Sequence, residues 1–474
     1  MNHPLDLHTN PDLENRGERD RIGAMEELKV KLAAQFKGTS DFIHKTLQRE
    51  HSSIDLMYIL TVADEKKVFD TWVIPFYDRS MYTNYKSYIE SLPNRVAPKS
   101  EKELLSYLAD GYAIVFDASD VFVYDVRKFP LATVREATVE TVIQGPLYAF
   151  SEDLGLNITL LRQRYNQASL QVEKTTVGTL SRTSIMIVYD RTSADPKLIA
   201  EVKRRIGATQ LAVVQSSGQL VQLLGEPKRS LFPRFMITER PDRATLNLSQ
   251  GKVVVFMEGS PFALIAPSTF YDFFASMEDL YQQYFISRFL IVLRYAALLI
   301  SLTLPASYVA VSAYNPELLR VQLALSIAGS RVPVPYPAFV EVLLMLLAME
   351  LLVEASIRLP KSIGSTATTV GGLILGTAAT EANLVSNIMI IIVATVAISN
   401  FVIPINSMSF AIRVAKYAIL ICATMFGLIG VVLGMVLLIG CLVSLDSFGK
   451  PFLKLFENDD RHVKTTQQQP EPGA

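Results

Sequence analysis

The pattern of apolar and polar positions changes character twice along the chain. Met25, Leu28, Leu32 and Phe36 recur at helical spacing and predict a helix over Met25–Phe36. Ile54–Val62 packs β-branched and aromatic residues together and predicts a strand, and Ser80–Leu92 predicts a helix. Ala113–Phe116 and Val121–Val126 flank the turn residues Asp117-Ala118-Ser119-Asp120, which makes a hairpin. After Gly145-Pro146 a second block opens with LYAFSEDLGLNITLLRQRY at helical spacing, followed by a strand over Thr179–Tyr189. Asp195-Pro196 reads as the N-cap and first residue of a helix that Gly207 closes behind Arg204 and Arg205. Lys252–Met257 and Phe262–Ile265, joined by Glu258-Gly259-Ser260-Pro261, predict a second hairpin.

From Phe289 onward the pattern suits lipid. Residues 289–311, 338–356, 384–403 and 415–443 are apolar runs of spanning length, and 362–380 is a fifth run whose crossing is left open. The last run carries Gly427, Gly430 and Gly434 on one face, a surface for close helix packing. Pro316–Ile327 is apolar but holds Arg320 and Gln322, as an interfacial or re-entrant segment does. The predicted fold class is therefore an α/β soluble N-terminal domain of two subdomains followed by an α-helical polytopic membrane domain. Its expected parts are a disordered tail at 1–24, subdomains at 25–144 and 145–285, a membrane domain at 286–452 and a polar tail at 453–474.

The stretch from Ala338 to Thr380 holds the most unusual chemistry. Glu341, Glu350 and Glu354 lie inside an apolar run with Arg358 just beyond, although a carboxylate in a bilayer costs about 2.5–3.5 kcal/mol on insertion scales. Glu350, Glu354 and Arg358 share a stripe at i, i+4 and i+8, which predicts an ion-pair ladder between packed helices or, alternatively, direct contact with permeating cations. Glu341 falls almost opposite. Leu359-Pro360 ends that helix. In the next helix Ser362, Thr366, Thr369, Thr377 and Thr380 share a face, with Leu373 the single apolar residue in the row. Such a row either lines a water path or packs against neighbouring helices through its hydroxyls.

Composition narrows the function classes. A net charge of −1 with no basic aromatic patch excludes a nucleic-acid binder. Cys422 and Cys441 are too far apart along one helix to bridge, and the five histidines show no zinc-like spacing, so neither a disulfide framework nor a metal or other cofactor is expected. The first 24 residues lack the apolar core of a signal peptide, and a large soluble domain without one is expected on the cytoplasmic side. No Walker-A loop, dinucleotide-binding glycine motif or nucleophile elbow is present, which leaves an enzyme reading unsupported. No internal repeat is evident in the sequence.

Six passages carry a resemblance: GPLYAFSEDLGLNITLLRQRY, FPRFMITERPDRATLNLSQGKVVVFMEGSPFALIAPSTFYDFF, EDLYQQYF, PAFVEVLLMLLAMELLVEASIRLPKSIG, GGLILGTAATEANLVS and SLDSFGKPFL. Together they resemble the A subunits of spore germinant receptors, the GerA family, from roughly Lys29 to Leu453. The resemblance implies an inner-membrane protein of the dormant spore, working with a B subunit that takes the nutrient and a lipoprotein C subunit. It further implies that A subunits oligomerise into a ligand-gated channel for monovalent cations. Ser330-Arg331-Val332-Pro333-Val334-Pro335-Tyr336-Pro337 departs from the Glu-Gly-x-Pro-Phe-Pro pattern of relatives, and Glu381 stands where an apolar residue is common. On this reading Ser362, Thr366, Thr369, Thr377 and Thr380 line the path, Leu373 narrows it, and Glu350 and Glu354 hold the neighbouring helix and attract cations. The alternatives are a secondary transporter with a substrate site at a helix broken near Pro360, and a non-conducting scaffold that recruits germination proteins.

Overall fold

The computed structural model describes residues 23, 25–49, 52–78, 85–93, 95–96, 98, 100–117, 120–128, 135–209, 211–225 and 230–453, with backbone alone at 361–363, 365, 367 and 368. The expected disordered tail at 1–24 and polar tail at 453–474 lie outside these residues, Gly23 and Leu453 apart, as do residues 80–84 of the expected second helix and Ala118-Ser119 of the first hairpin turn. The chain divides into two compact units, Met1–Ser268 with Ala275–Val292, and Thr269–Phe274 with Leu293–Ala474.

The first unit has two lobes. In the first, α1 (residues 25–35) leads into β1 (Phe42–Arg49) and β2 (Ser52–Ile59). Then come α2 (Glu65–Val68), a π turn over Phe69–Val73, α3 (Ile74–Tyr77), α4 (Tyr85–Ser91) and β3 (Arg95–Val96). The lobe closes with α5 (Glu101–Asp110), β4 (Tyr112–Asp117) and β5 (Asp120–Asp125). The second lobe contains α6 (Leu154–Arg164), β6 (Leu170–Val177), β7 (Thr183–Asp190), α7 (Pro196–Gly207) and α8 (Ser217–Leu224). It continues with β8 (Met236–Thr238), α9 (Pro241–Ser249), β9 (Val253–Met257), β10 (Ala263–Ala266) and the short α10 (Glu278–Tyr281). The expected strand at 179–189 starts later, because Gly178 (φ +87°) and Arg182 (φ 44°) form the turn that enters β7.

Both sheets are antiparallel, in the orders β1-β2-β4-β5-β3 and β6-β7-β9-β10-β8. These are the same order, and the helices between the strands match in sequence of appearance, so one topology occurs twice. The repeat that the sequence hides is visible in its joints. Asp64 and Asp195 each follow the second strand of their lobe and cap the next helix, Asp64 accepting from Lys67 N and Asp195 from Lys197 N. Gly111 and Gly251 each close the helix before the fourth strand with positive φ. A Cβ at Gly111 would stand 2.7 Å from Val62 O and one at Gly251 2.3 Å from Ser193 O, which makes glycine obligatory at both.

The lobes are welded by a buried cluster. Arg162 of α6, 1% exposed, donates Nε to Asp41 Oδ2 and Nη2 to Asp41 Oδ1, both at 2.8 Å. Thr61 Oγ1 donates to Asp41 Oδ2 at 2.6 Å and Thr39 Oγ1 to Oδ1 at 3.1 Å. Thr39 also accepts from Val172 N of β6 at 2.8 Å, and Thr159 donates to the carbonyl of Thr61. Each charge in this cluster has its opposite, and each carboxylate oxygen is doubly bonded to donors.

The second unit is helical: α11 (Tyr284–Ala313) from Leu293 onward, α12 (Val321–Arg331), α13 (Ala338–Arg358), α14 (Lys361–Glu381), α15 (Asn387–Phe401) and α16 (Asn406–Ser444). By length and composition α11 and α16 are apolar enough to cross a membrane. The stretch 415–443, expected as one run, is folded in two. Gly427 takes φ 61° and ψ −138°, and the chain doubles back there. A Cβ at Gly434 would lie 3.2 Å from Ile419 Cα, whereas a straight helix would separate residues so spaced by roughly 22 Å. A Cβ at Gly430 would meet the Cys422 carbonyl oxygen at 1.9 Å. Of the three glycines expected to admit a neighbouring helix, Gly430 and Gly434 therefore admit the other half of their own and Gly427 makes the reversal, where Tyr314, beyond α11, seats its ring and donates its hydroxyl to Thr424 O.

The final hairpin, β11 (Asp446–Ser447) with β12 (Lys450–Pro451), returns the chain to where this unit starts. Phe270 N donates to Phe452 O at 2.8 Å, and the rings of Phe270 and Phe273 lie 6.3 and 6.1 Å from that of Phe452. Phe274 stacks on Tyr295 at 5.3 Å and accepts from Arg294 Nη1 at 3.2 Å.

Candidate functional site: charges and hydroxyls of the helical unit

The helix ends follow the sequence closely. Pro337 and Pro360 cap α13 and α14 without contributing side-chain bonds, and Leu359-Pro360 separates the two helices. Gly364 beside Ser356 O and Gly371 beside Leu352 show that α14 folds back along α13 as a hairpin.

The acidic residues of α13 go to three different places. Glu341 is fully buried and accepts from Ser386 N and Ser386 Oγ, both at 2.6 Å, while Arg331 Nε stands 3.4 Å away. It thus joins α13 to the start of α15. Glu354 pairs with Arg358 at 2.8 Å, as the i,i+4 spacing predicts, but the pair is exposed and contributes little.

Glu350 leaves the predicted ladder. Its carboxylate takes Arg413 Nε at 2.8 Å and Arg413 Nη2 on Oε2, and Lys416 Nζ at 2.9 Å on Oε1. Arg413 and Lys416 sit three apart on the first arm of α16 and so face the same way. Their side chains are 15% and 3% exposed, against 22% for Glu350, so all three groups are largely removed from solvent. Both Arg413 donors converge on Oε2 while Lys416 takes Oε1, so each carboxylate oxygen serves its own cation. Sequence reasoning missed it because i,i+4 arithmetic sees only neighbours along one helix. Two cations inside an apolar run, three residues apart, were the signal that a distant acid was needed.

The hydroxyl row of α14 turns away from the rest of the chain. Thr366, Thr369, Leu373 and Thr377 are exposed, Leu373 by 67%, and Thr380 is half-buried. Thr377 Oγ1 donates to Leu373 O at 2.9 Å and Thr380 Oγ1 to Gly376 O at 3.1 Å, so these hydroxyls need no other partner to be satisfied. The side chain of Ser362 lies outside the described residues. Among the described residues no group of three or more His, Cys, Asp or Glu is placed to hold a metal.

A further cluster, in the soluble unit, had no sequence signal beyond the string Thr238-Glu239-Arg240-Pro241-Asp242-Arg243. Arg240 pairs with Asp242 at 2.6 Å and donates to the carbonyls of Glu140 and Pro146, each at 3.1 Å. Tyr281 donates to Asp242 at 2.9 Å and covers Gly145, whose φ is +129°. Glu239 accepts from Val139 N and Glu140 N. Glu140 lies 2.8 Å from Arg243 Nε, yet its burial raises its pKa above the usual carboxylate value, more than the Arg243 charge lowers it. These residues fasten the segment between the lobes onto the second lobe.

An α/β soluble half built from a repeated lobe, joined to a helical unit with two membrane-length apolar helices, is the class these features define. The family described as Bacillus/Clostridium GerA spore germination protein matches residues 30–468. The chain is 33% identical to spore germination protein KA of Bacillus subtilis (strain 168), over 86% of this chain and 76% of that one. It is 33% identical to spore germination protein GerQA of Bacillus cereus, over 88% and 84%, and 31% identical to the uncharacterized membrane protein YfkQ of Bacillus subtilis (strain 168), over 93% and 88%. Among solved structures, the N-terminal domain of the A subunit of the Bacillus megaterium spore germinant receptor GerK3 is similar at 21% identity and a TM-score of 0.40, covering 51% of this chain and 93% of that one. The chain belongs to the GerA family of spore germination proteins. That family is one of germination proteins and not of known enzymes.

Proposed function

We propose that this chain is the A subunit of a nutrient germinant receptor in the spore inner membrane, and that several copies surround an axis to form a ligand-gated channel for monovalent cations. Family membership supports the receptor role. One observation supports the channel: α14 leaves Thr366, Thr369, Leu373 and Thr377 uncovered by its own chain, with Val370 and Ile374 exposed beside them. In a sister-copy arrangement Thr366, Thr369, Thr377 and Thr380, with Ser362, line the path, and Leu373 forms an apolar ring that blocks ions by dewetting. The Glu350 link braces α13, which α14 folds against, and the receptor's B and C subunits complete the complex.

The contacts of the helical unit favour six arms: α11, α13, α14, α15 and the two halves of α16. Ser301 with Asn400, Tyr308 close to Glu341, and Tyr314, just past the end of α11, at Gly427 give three successive levels, and the other helices alternate in direction across them. An even number of arms returns Phe452 to the Phe270 side. On this reading Arg358, Lys361, Arg413 and Lys416 lie toward that side, which the excess of basic residues on cytoplasmic faces makes the cytoplasmic one. The exposed apolar residues of α16, among them Ile421, Met425, Ile429 and Val432, then face lipid.

Leu373→Ser tests the gate. Spores carrying it are expected to lose potassium without nutrient, measured by flame photometry of the medium; retention equal to that of the parent spores counts against a gate at this position. Flux down the gradient without stoichiometric uptake of nutrient separates the channel from a coupled transporter. Reconstituted receptor that passes no cation under any nutrient mixture leaves the scaffold.

A further inference from the structure

The charges around Glu350 do not balance. One carboxylate serves two cations, and among the described residues no other acid lies within 4 Å of Arg413 or Lys416. Lys416 Nζ has three N–H donors and, among the described residues, a single hydrogen-bond acceptor, Glu350 Oε1, with the Tyr417 ring centroid 5.3 Å away. Arg413 spends Nε and Nη2 on Glu350 and lies over the ring of Phe410 at 5.2 Å. The rings soften the surplus charge but do not cancel it, since a cation–π contact is worth about 0.5–2 kcal/mol. A net positive charge is thus held in a largely desolvated place, where an uncompensated ion is strongly disfavoured.

The same three charged residues line a small cavity of about 40 Å³ between α13, α15 and α16. On the same measure one water needs about 10–15 Å³, so the space suits a few waters or one small ion. Leu346, Met349, Val393 and Val396 make its apolar wall, and Asn400 and Ser409 add neutral polar groups beside the cations. Such a combination of apolar wall, spare ammonium and guanidinium donors and a surplus charge of +1 is the chemistry of anion capture.

We propose that Arg413 and Lys416 hold a small monovalent anion in this cavity, a halide or a carboxylate of formate size, which neutralises the charge that Glu350 leaves over; gluconate is too large to enter. Occupancy braces α16 against α13 and α15. The site is independent of the channel reading, because it needs neither oligomer nor pore.

The test uses the full-length protein in nanodiscs of uncharged lipid, with thermal unfolding followed while chloride or formate replaces gluconate at constant ionic strength. The parent protein is expected to gain several degrees of unfolding temperature, saturably, with either anion. Lys416→Gln is expected to lose that dependence. Glu350→Gln is expected to move the other way, with a half-saturating concentration at least about tenfold lower, because it removes the competing negative charge at contact distance. This opposite sign keeps the test decisive if Lys416→Gln folds poorly. Equal shifts in the parent and in Lys416→Gln, or no shift in the parent and in Glu350→Gln, overturn the proposal. So does stabilisation that appears only when phosphatidylglycerol is added to the nanodiscs, which assigns the cations to a lipid phosphate instead.

Discussion

Asp41 and Glu350 are both carboxylates held by arginine in the interior, and they are built on opposite principles. Asp41 meets one arginine and two threonine hydroxyls, so its charge and its lone pairs are both accounted for. Glu350 meets two cations and is outnumbered. A balanced buried pair fixes geometry and asks for nothing more, whereas an unbalanced one has to draw in a further charge or change its surroundings. The weld between the soluble lobes is of the first kind, and the joint between α13 and α16 is of the second.

The largest test of that contrast breaks the balanced pair. Arg162→Met leaves Asp41 buried and uncompensated, which is expected to cost about 3–5 kcal/mol of the soluble unit's stability in urea unfolding. Replacing both partners, Asp41→Leu with Arg162→Met, is expected to recover most of that loss. A double variant as unstable as the single one would mean that the lobes depend on the charges themselves and not on their balance. A smaller step is Thr61→Val, which keeps the shape and removes one donor; the expected loss is about 1.5–3 kcal/mol, and denaturant midpoints at unchanged slope measure it. The smallest effect belongs to a surface reference. Glu201 pairs with Arg204 and Arg205, whose hydrogen bonds hold its pKa down at about 2 from an ordinary 4.5. Its folded-state pKa is depressed, so its contribution is present above pH 4.5 and fades as pH falls toward 2. Glu201→Gln is therefore expected to cost under ~1 kcal/mol at pH 7 and nothing near pH 2.

Local chemistry was legible in the sequence wherever the partner lay nearby. Asp195-Pro196, the Glu258-Gly259 turn and the Pro360 break all act within a few residues, and each stands where the residue types place it. The repeat escaped because it survives only at joints: Thr61, Ala63, Asp64 and Lys66 return as Thr192, Ala194, Asp195 and Lys197, and Leu108, Gly111, Val115 and Phe116 return as Leu248, Gly251, Val255 and Phe256. The sheet interiors between them tolerate any apolar residue of suitable size, so likeness there is not retained as identity. The reversal at Gly427 escaped for a related reason. Hydropathy averages over a window, and a single positive φ leaves no mark on the average. The partner of Glu350 lies 63 residues away at Arg413, beyond the reach of any helical period.

The aromatic clasp of Phe270, Phe273 and Phe452 makes the helical unit a closed circuit in which the backbone enters and departs through one doorway. A displacement of the last arm of α16 thus pulls directly on Thr269–Phe274. Movement among the helices can be handed to this entry segment through one short contact, without passing through the rest of the bundle.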